Sequence, residues 1–138
     1  MNVDFYSDPR LAPRPRAEVR IESLRLIPYP DNKRVRLEFE ITPFGPADRP
    51  SVDIVVSRLD GTQVASMSII ETAQRTFGVT VHLREPTGTV HGTYLFRAEL
   101  YYGENPVQAS ITQSIVLPPE DLPNRDLEGE YPTTDLLE

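Results

Sequence analysis

Cysteine and tryptophan are absent from the 138 residues, and lysine occurs once, at Lys33. Without cysteine there is no disulfide framework, no thiolate nucleophile and no cysteine-ligated zinc, so stability has to come from burial. The first twenty residues hold no apolar run of the signal-peptide kind, and no run of about eighteen apolar residues occurs anywhere. These absences predict a soluble, cytoplasmic protein with no membrane insertion. Helical periodicity is scarce as well. The best candidate, SIIETAQRTF, has Ile69, Ile70, Ala73 and Phe77 at helix-compatible spacings, but reads better as a short connection between sheets.

Charge is unevenly spread. Residues 1–16 carry three arginines against Asp4 and Asp8, or +1, and residues 118–138 carry seven carboxylates against Arg125, or −6. The formal total of −7 therefore leaves −2 for the body between them. An acidic chain without a basic face repels phosphate backbones, which excludes nucleic acid as an expected partner. Prolines mark the same division. The segment SDPRLAPRPR holds Pro9, Pro13 and Pro15 and favours an extended polyproline arm. PPEDLPNRDLEGEYPTTDLLE opens with two prolines that stop a strand and continues acidic and turn-rich. The expected organisation is an arm at 1–16, one folded body at 17–117 and a tail at 118–138, a size that suits a single core.

What the body does contain is period-two alternation, repeated segment after segment. In KRVRLEFEIT, Val35, Leu37, Phe39 and Ile41 face one way while Arg34, Arg36, Glu38 and Glu40 face the other. TFGVTVHL repeats the pattern with Phe77, Val79, Val81 and Leu83, and VQASITQSIVL with Val107, Ala109, Ile111, Ile115 and Leu117, interrupted by Gln113. In AEVRIESLRLIP, Val19 and Ile21 have a parity that Leu24 and Leu26 lack, and a bulge near Glu22-Ser23 would return both pairs to the core, as where a first strand passes between sheets. The pair Asp60-Gly61 suits a two-residue type I′ turn, and a hairpin about it sets Val56 against Ala65, Ile54 against Met67 and Val52 against Ile69. All six are apolar and share a face, so turn chemistry and pattern agree. Seven strand segments result, and the predicted fold is an all-β, two-sheet antiparallel sandwich with extended terminal arms.

The run HGTYLFRAELYYG places Tyr94, Phe96, Ala98, Leu100 and Tyr102 on one face, as an interior strand requires. Gly92 to Leu100 resembles the penultimate strand of immunoglobulin-like and fibronectin type III-like sandwiches, over a body of about residues 17–117. The resemblance implies that Tyr94 sends its hydroxyl back to the preceding loop as a tyrosine corner. It also implies that Phe96 stands where antibody domains have their second cysteine.

Chemistry-bearing residues do not cluster. His82 and His91 lack metal-ligand spacing and read as solvated rings. Glu38, Glu40 and Glu99 fall on outward strand positions, without the burial that would separate an acid from a base. Asp31, Asp48 and Asp60 mark loops but form no dense calcium motif. No G-x-S-x-G elbow or phosphate loop occurs. No cofactor and no catalysis are expected. Binding is expected of a protein partner or of a second copy, through two surfaces. One is the tail, where Leu122, Leu127, Tyr131, Leu136 and Leu137 are set among acidic residues. The other is the edge SITQSIVL, whose outward Ser110, Thr112 and Ser114 are uncharged and protect it poorly against strand addition. Two further readings stay open: a carbohydrate-binding module using Phe44, Tyr29 and Tyr101, and a protease inhibitor presenting the loop PFGPADRP or REPTGTVHG. The arm RLAPRPR also has the composition of a ligand for aromatic grooves, or of a plain tether.

Overall fold

The computed structural model describes residues 12–85 and 88–118. Seven strands follow in order: β1 (Ile21–Pro28), β2 (Arg34–Ile41), β3 (Ser51–Arg58), β4 (Gln63–Ile69), β5 (Thr76–His82), β6 (Gly92–Tyr101) and β7 (Ala109–Leu117). They form two antiparallel sheets, β1-β2-β5 and β4-β3-β6-β7. The all-β two-sheet sandwich expected from the alternation is the observed architecture. β4 joins β3 in the four-stranded sheet rather than lying beside β5, unlike the constant-type antibody arrangement.

The alternating residues meet between the sheets. Val35, Leu37, Phe39 and Ile41 of β2 face Val52, Ile54 and Val56 of β3 and Tyr94, Phe96, Ala98 and Leu100 of β6 in one buried cluster. Phe39 stacks on Phe77 with ring centroids 4.9 Å apart. Fully burying a side chain such as Leu37 stabilises by about 1.5–3 kcal/mol, and these strands supply it from every second residue. On the outer face of the three-stranded sheet the alternate residues pair by charge: Arg25 meets Glu38 at 2.6 Å and Arg36 meets Glu38 at 3.1 Å. Gly78 seats the Arg36 guanidinium, since a Cβ there would lie 2.2 Å from its Nη2.

Two irregularities matter for register. The shift between Ile21 and Ser23 is the bulge that the parity of β1 demands, and Val19 and Leu24 are both buried. β1 nevertheless stays with β2 along its whole length and does not cross to the other sheet. The β3–β4 hairpin keeps the expected pairs Val52–Ile69, Ile54–Met67 and Val56–Ala65. Its turn differs from the expected type I′. Gly61 alone is left-handed, at φ 92°, its N–H bonds the Arg58 carbonyl at 2.9 Å, and the Arg58 N–H bonds the Thr62 carbonyl. Three residues rather than two close the loop, and the register shifts after Val56 so that Ser57 faces Gln63. The extra residue, Val64, turns into the core, where an apolar side chain gains most.

β7 begins at Ala109, two residues later than the alternation suggests, and Val107 is exposed. Residues 70–75 connect β4 to β5 without a helix. At the N-terminal side, a short 3-10 turn (Arg16–Glu18) leads into β1, Arg14 bridges to Phe44 in parallel fashion, and the Arg14 N–H bonds the Pro43 carbonyl at 2.9 Å.

Candidate functional site

The sandwich has two ends. The β1–β2 turn, the β3–β4 hairpin and residues 83–91 share one end, and the β2–β3 and β6–β7 connections share the other with residues 12–20.

At the hairpin end Tyr94 is fully buried, and its hydroxyl accepts the His91 N–H at 3.1 Å and donates to the Glu85 carboxylate. This is the reach back to the preceding loop that the tyrosine-corner resemblance implies. The Glu85 side chain is only 1% exposed, and its other oxygen pairs with Arg58 at 2.9 Å. Burial first, and the hydrogen bond to Glu85 second, push the Tyr94 hydroxyl above its ordinary range. Sequence reading missed Glu85, because its partners are 27 and 9 residues away in the chain. The need of a buried tyrosine hydroxyl for an acceptor was the available signal. Every member of this trio has a partner, so it fastens residues 83–91 to the sandwich rather than offering a reactive group.

β7 is an edge of the four-stranded sheet and pairs only with β6. Ser110, Thr112 and Ser114 stand exposed on it as expected, and Val116 is 53% exposed. No charge, proline or bulge interrupts Ala109–Leu117. The other edges are shorter or carry such a device. β1 has its bulge, Glu22, Arg25 and Pro28. β4 has the shift beside Val64, whose carbonyl takes the Arg84 N–H at 3.0 Å. β5 lies under the Arg36 guanidinium at Gly78 and ends on His82. Among the described edges β7 is the longest that no charge, proline or bulge interrupts, nine residues against seven in β5.

Other candidates do not converge. Tyr29 lies at the hairpin end, bonded to Thr80 at 2.9 Å and covered by the Arg34 guanidinium at 4.2 Å. Phe44 packs against the core and Tyr101 bonds Asp53 at 2.9 Å, so the three rings form no shared platform. The loop at residues 43–50 is strapped down: Arg16 holds Asp48 at 2.7 Å and the Tyr102 hydroxyl holds the Asp48 carbonyl at 2.8 Å. Loop 84–92 has Glu85 buried inside it. An open groove of about 430 Å³ between β4 and β5 is lined by Ala65, Met67, Thr80, His82 and Arg84, without a carboxylate to complete an acid–base pair. His82 and His91 are both exposed. No group of three or more His, Cys, Asp or Glu among the described residues is placed to hold a metal ion. No helix among them is long and apolar enough to cross a membrane. Leu122, Leu127, Tyr131, Leu136 and Leu137 lie outside the described residues.

No protein-family model matches the chain, and no curated protein matches it in sequence. Solved structures do resemble it. A glycosyl hydrolase family 2 member from Bacteroides cellulosilyticus superposes with a TM-score of 0.52 at 10% identity, over 71% of this chain and 14% of that one. A β-glucuronidase from glycoside hydrolase family 2 gives 0.51 at 13% identity, over 71% and 12%. The β-glucuronidase of Parabacteroides merdae gives 0.50 at 11% identity, over 72% and 14%. At these identities the likeness is one of fold, and the chain spans only 12–14% of the length of these enzymes.

Proposed function

We infer that the chain is a non-catalytic, immunoglobulin-like association module that binds a protein by strand addition at β7. The observation that carries this reading is the β7 edge, nine residues long, uncharged and unguarded. Strand addition draws affinity from backbone hydrogen bonds and specificity from alternate side chains, and β7 offers both. The fully partnered Tyr94–Glu85–Arg58 trio and the ion-paired face of the three-stranded sheet support a scaffold role, since neither leaves a titratable pair poised for proton transfer. The immunoglobulin-like relation is supported by the Tyr94 corner and by β6 lying between β3 and β7.

The test replaces Thr112 with a photo-crosslinking residue and compares it with the same replacement at Ser66, which is exposed on β4 of the same sheet. Protein adducts at position 112 and not at 66 are expected. Equal adducts at both positions, or none at 112, defeat the reading.

A second reading is favoured by the superpositions: a carbohydrate-linked accessory sandwich of the kind that fits within longer glycoside hydrolases. It predicts sugar binding, and a glycan screen that stays flat removes it.

A further inference from the structure

Gln113 is the one polar side chain on the inner face of β7. It stands opposite Phe96, between Ile111 and Ile115, and is half-buried. Its carboxamide has no hydrogen-bond partner among the described residues, and covering it without supplying one would cost about 1–3 kcal/mol. An amide is self-complementary, with an NH₂ donor and a carbonyl acceptor, so two glutamines facing each other across a two-fold axis exchange two hydrogen bonds.

Resting on the edge reading above, we propose that the occupant of β7 is a second copy of this chain, paired antiparallel about a two-fold axis through Gln113. Directly opposed residues of an antiparallel pair share a face. In this register Ile111 meets Ile115 of the other copy on the inner side, and Thr112 meets Ser114 on the outer side. Every other register that matches inner face to inner face sets Gln113 against Ala109, Ile111, Ile115 or Leu117 and leaves its amide unpaired. A lone polar residue at an otherwise apolar contact fixes register and oligomeric state in this way in coiled coils.

Charge favours the same partner. Pairing about Gln113 brings the end of one β7 beside the start of the other. Leu117 and Pro118 of one copy, from which a sequence of net −6 continues, then stand beside Ala109 and Gln108 of the second, and Gln108 bonds the carbonyls of Arg16 and Val19, next to Arg20. Arg20 meets only the carbonyls of Ala17 and Val19, at 2.9 Å, so its charge has no carboxylate among the described residues. Within a single chain Pro118 and these arginines lie at opposite ends of the sandwich.

Sedimentation of the purified full chain from micromolar to submillimolar concentration tests the pairing. The wild type should dimerise. Gln113→Glu should weaken the dimer about tenfold or more at pH 7, by opposing two carboxylates, and should recover on protonation in mild acid. Because the chain has no cysteine, introduced thiols report register directly. A mixture of Thr112→Cys and Ser114→Cys chains should form the mixed disulfide, since directly opposed Cα atoms lie about 4.5–5.5 Å apart, within the span a disulfide bridges, while each variant alone should not. A monomer at every concentration, or a disulfide within either single variant, overturns the proposal. A monomeric chain that still gives position-112 adducts with another protein sinks self-pairing and leaves the association reading standing.

Discussion

Replacing Tyr94 with Phe removes one oxygen from the middle of the hairpin-end corner and keeps the ring that fills the core. Two hydrogen bonds are lost, the one from the His91 N–H at 3.1 Å and the one to the Glu85 carboxylate. A hydrogen bond to a charged group contributes about 1.5–3 kcal/mol net. The Glu85 side chain is 1% exposed but keeps Arg58, which is itself 41% exposed and lets water share the load. That places the cost in the lower half of the range, at about 2 kcal/mol. For a chain of this size the loss corresponds to a fall in Tm of about 7 °C. Reversible urea unfolding followed by far-UV circular dichroism reads it as a lower midpoint at unchanged slope.

The pH arm sharpens the same prediction. Because the Tyr94 hydroxyl is raised from its ordinary value of 10.0, by burial and then by Glu85, the folded chain holds that proton where the unfolded chain releases it. Its contribution is complete below pH 10 and declines as pH climbs through the folded value. Tyr94→Phe should therefore flatten part of the alkaline loss, with Tyr101 and Tyr102, both also raised, contributing to what remains. A cost below about 0.5 kcal/mol with an unchanged alkaline profile would refute the claim that this corner fastens residues 83–91.

Two further outcomes follow from the same structure. Glu38 is held below its ordinary 4.5 by its hydrogen bond to Arg25 and then by Arg36, so its contribution is present above that pH and fades as pH falls through the folded value. Since Arg25 is 71% exposed, Glu38→Gln should cost under about 1 kcal/mol at pH 7 and remove that part of the acid slope in urea titrations at successive pH values. Gly61→Ala forces a side chain onto φ 92° and should lower the unfolding free energy by about 1 kcal/mol, read as a lower urea midpoint, whereas a neutral result would mean that the hairpin does not close as described.

Much of this arrangement was legible in alternation alone, because burial on one face imposes a period of two that no loop reproduces by chance over β2, β5 and β6. The bulge in β1 was readable as a parity conflict between Val19–Ile21 and Leu24–Leu26, and the β3–β4 pairs were fixed by apolar pattern independently of their turn. The turn itself was misread for a physical reason: Asp-Gly serves both a two-residue turn and a three-residue loop, Gly61 takes a positive φ in either, and only the folded chain shows that Asp60 does not share it. Val64 lay on the outward parity of the expected register, and as the extra residue of the bulge it turns inward. Glu85 was hidden because a carboxylate next to Arg84 in a turn-rich stretch looks solvated, and only the folded chain carries Arg58 and Tyr94 to it. Gln113 was visible as an interruption. Its lack of a partner among the described residues is a three-dimensional fact that no pattern contains.

The two outer faces of the sandwich divide polarity in different ways, and that division bears on why β7 is the place for association. On the three-stranded sheet polarity is charge, in cross-strand pairs such as Arg25–Glu38 and around Arg75, which reaches Glu22 at 3.3 Å and Glu40 at 3.7 Å. Exposed pairs of this sort add little stability, about 0–1 kcal/mol each, so their consequence is the repulsion and desolvation that an approaching strand would meet. On the four-stranded sheet charge is confined to the central strands, Asp53 on β3 and the Arg97–Glu99 pair on β6, and the polarity of the edges is hydroxyl: Ser66 and Ser68 on β4, and Ser110, Thr112 and Ser114 on β7. Hydroxyl groups keep a face wet without opposing a neighbour, since each can donate or accept to whatever is laid beside it. An edge that is polar enough to stay soluble yet carries no charge to displace is suited to reversible pairing, and among the described edges only β7 combines that chemistry with a free backbone and an amide that has no partner at home.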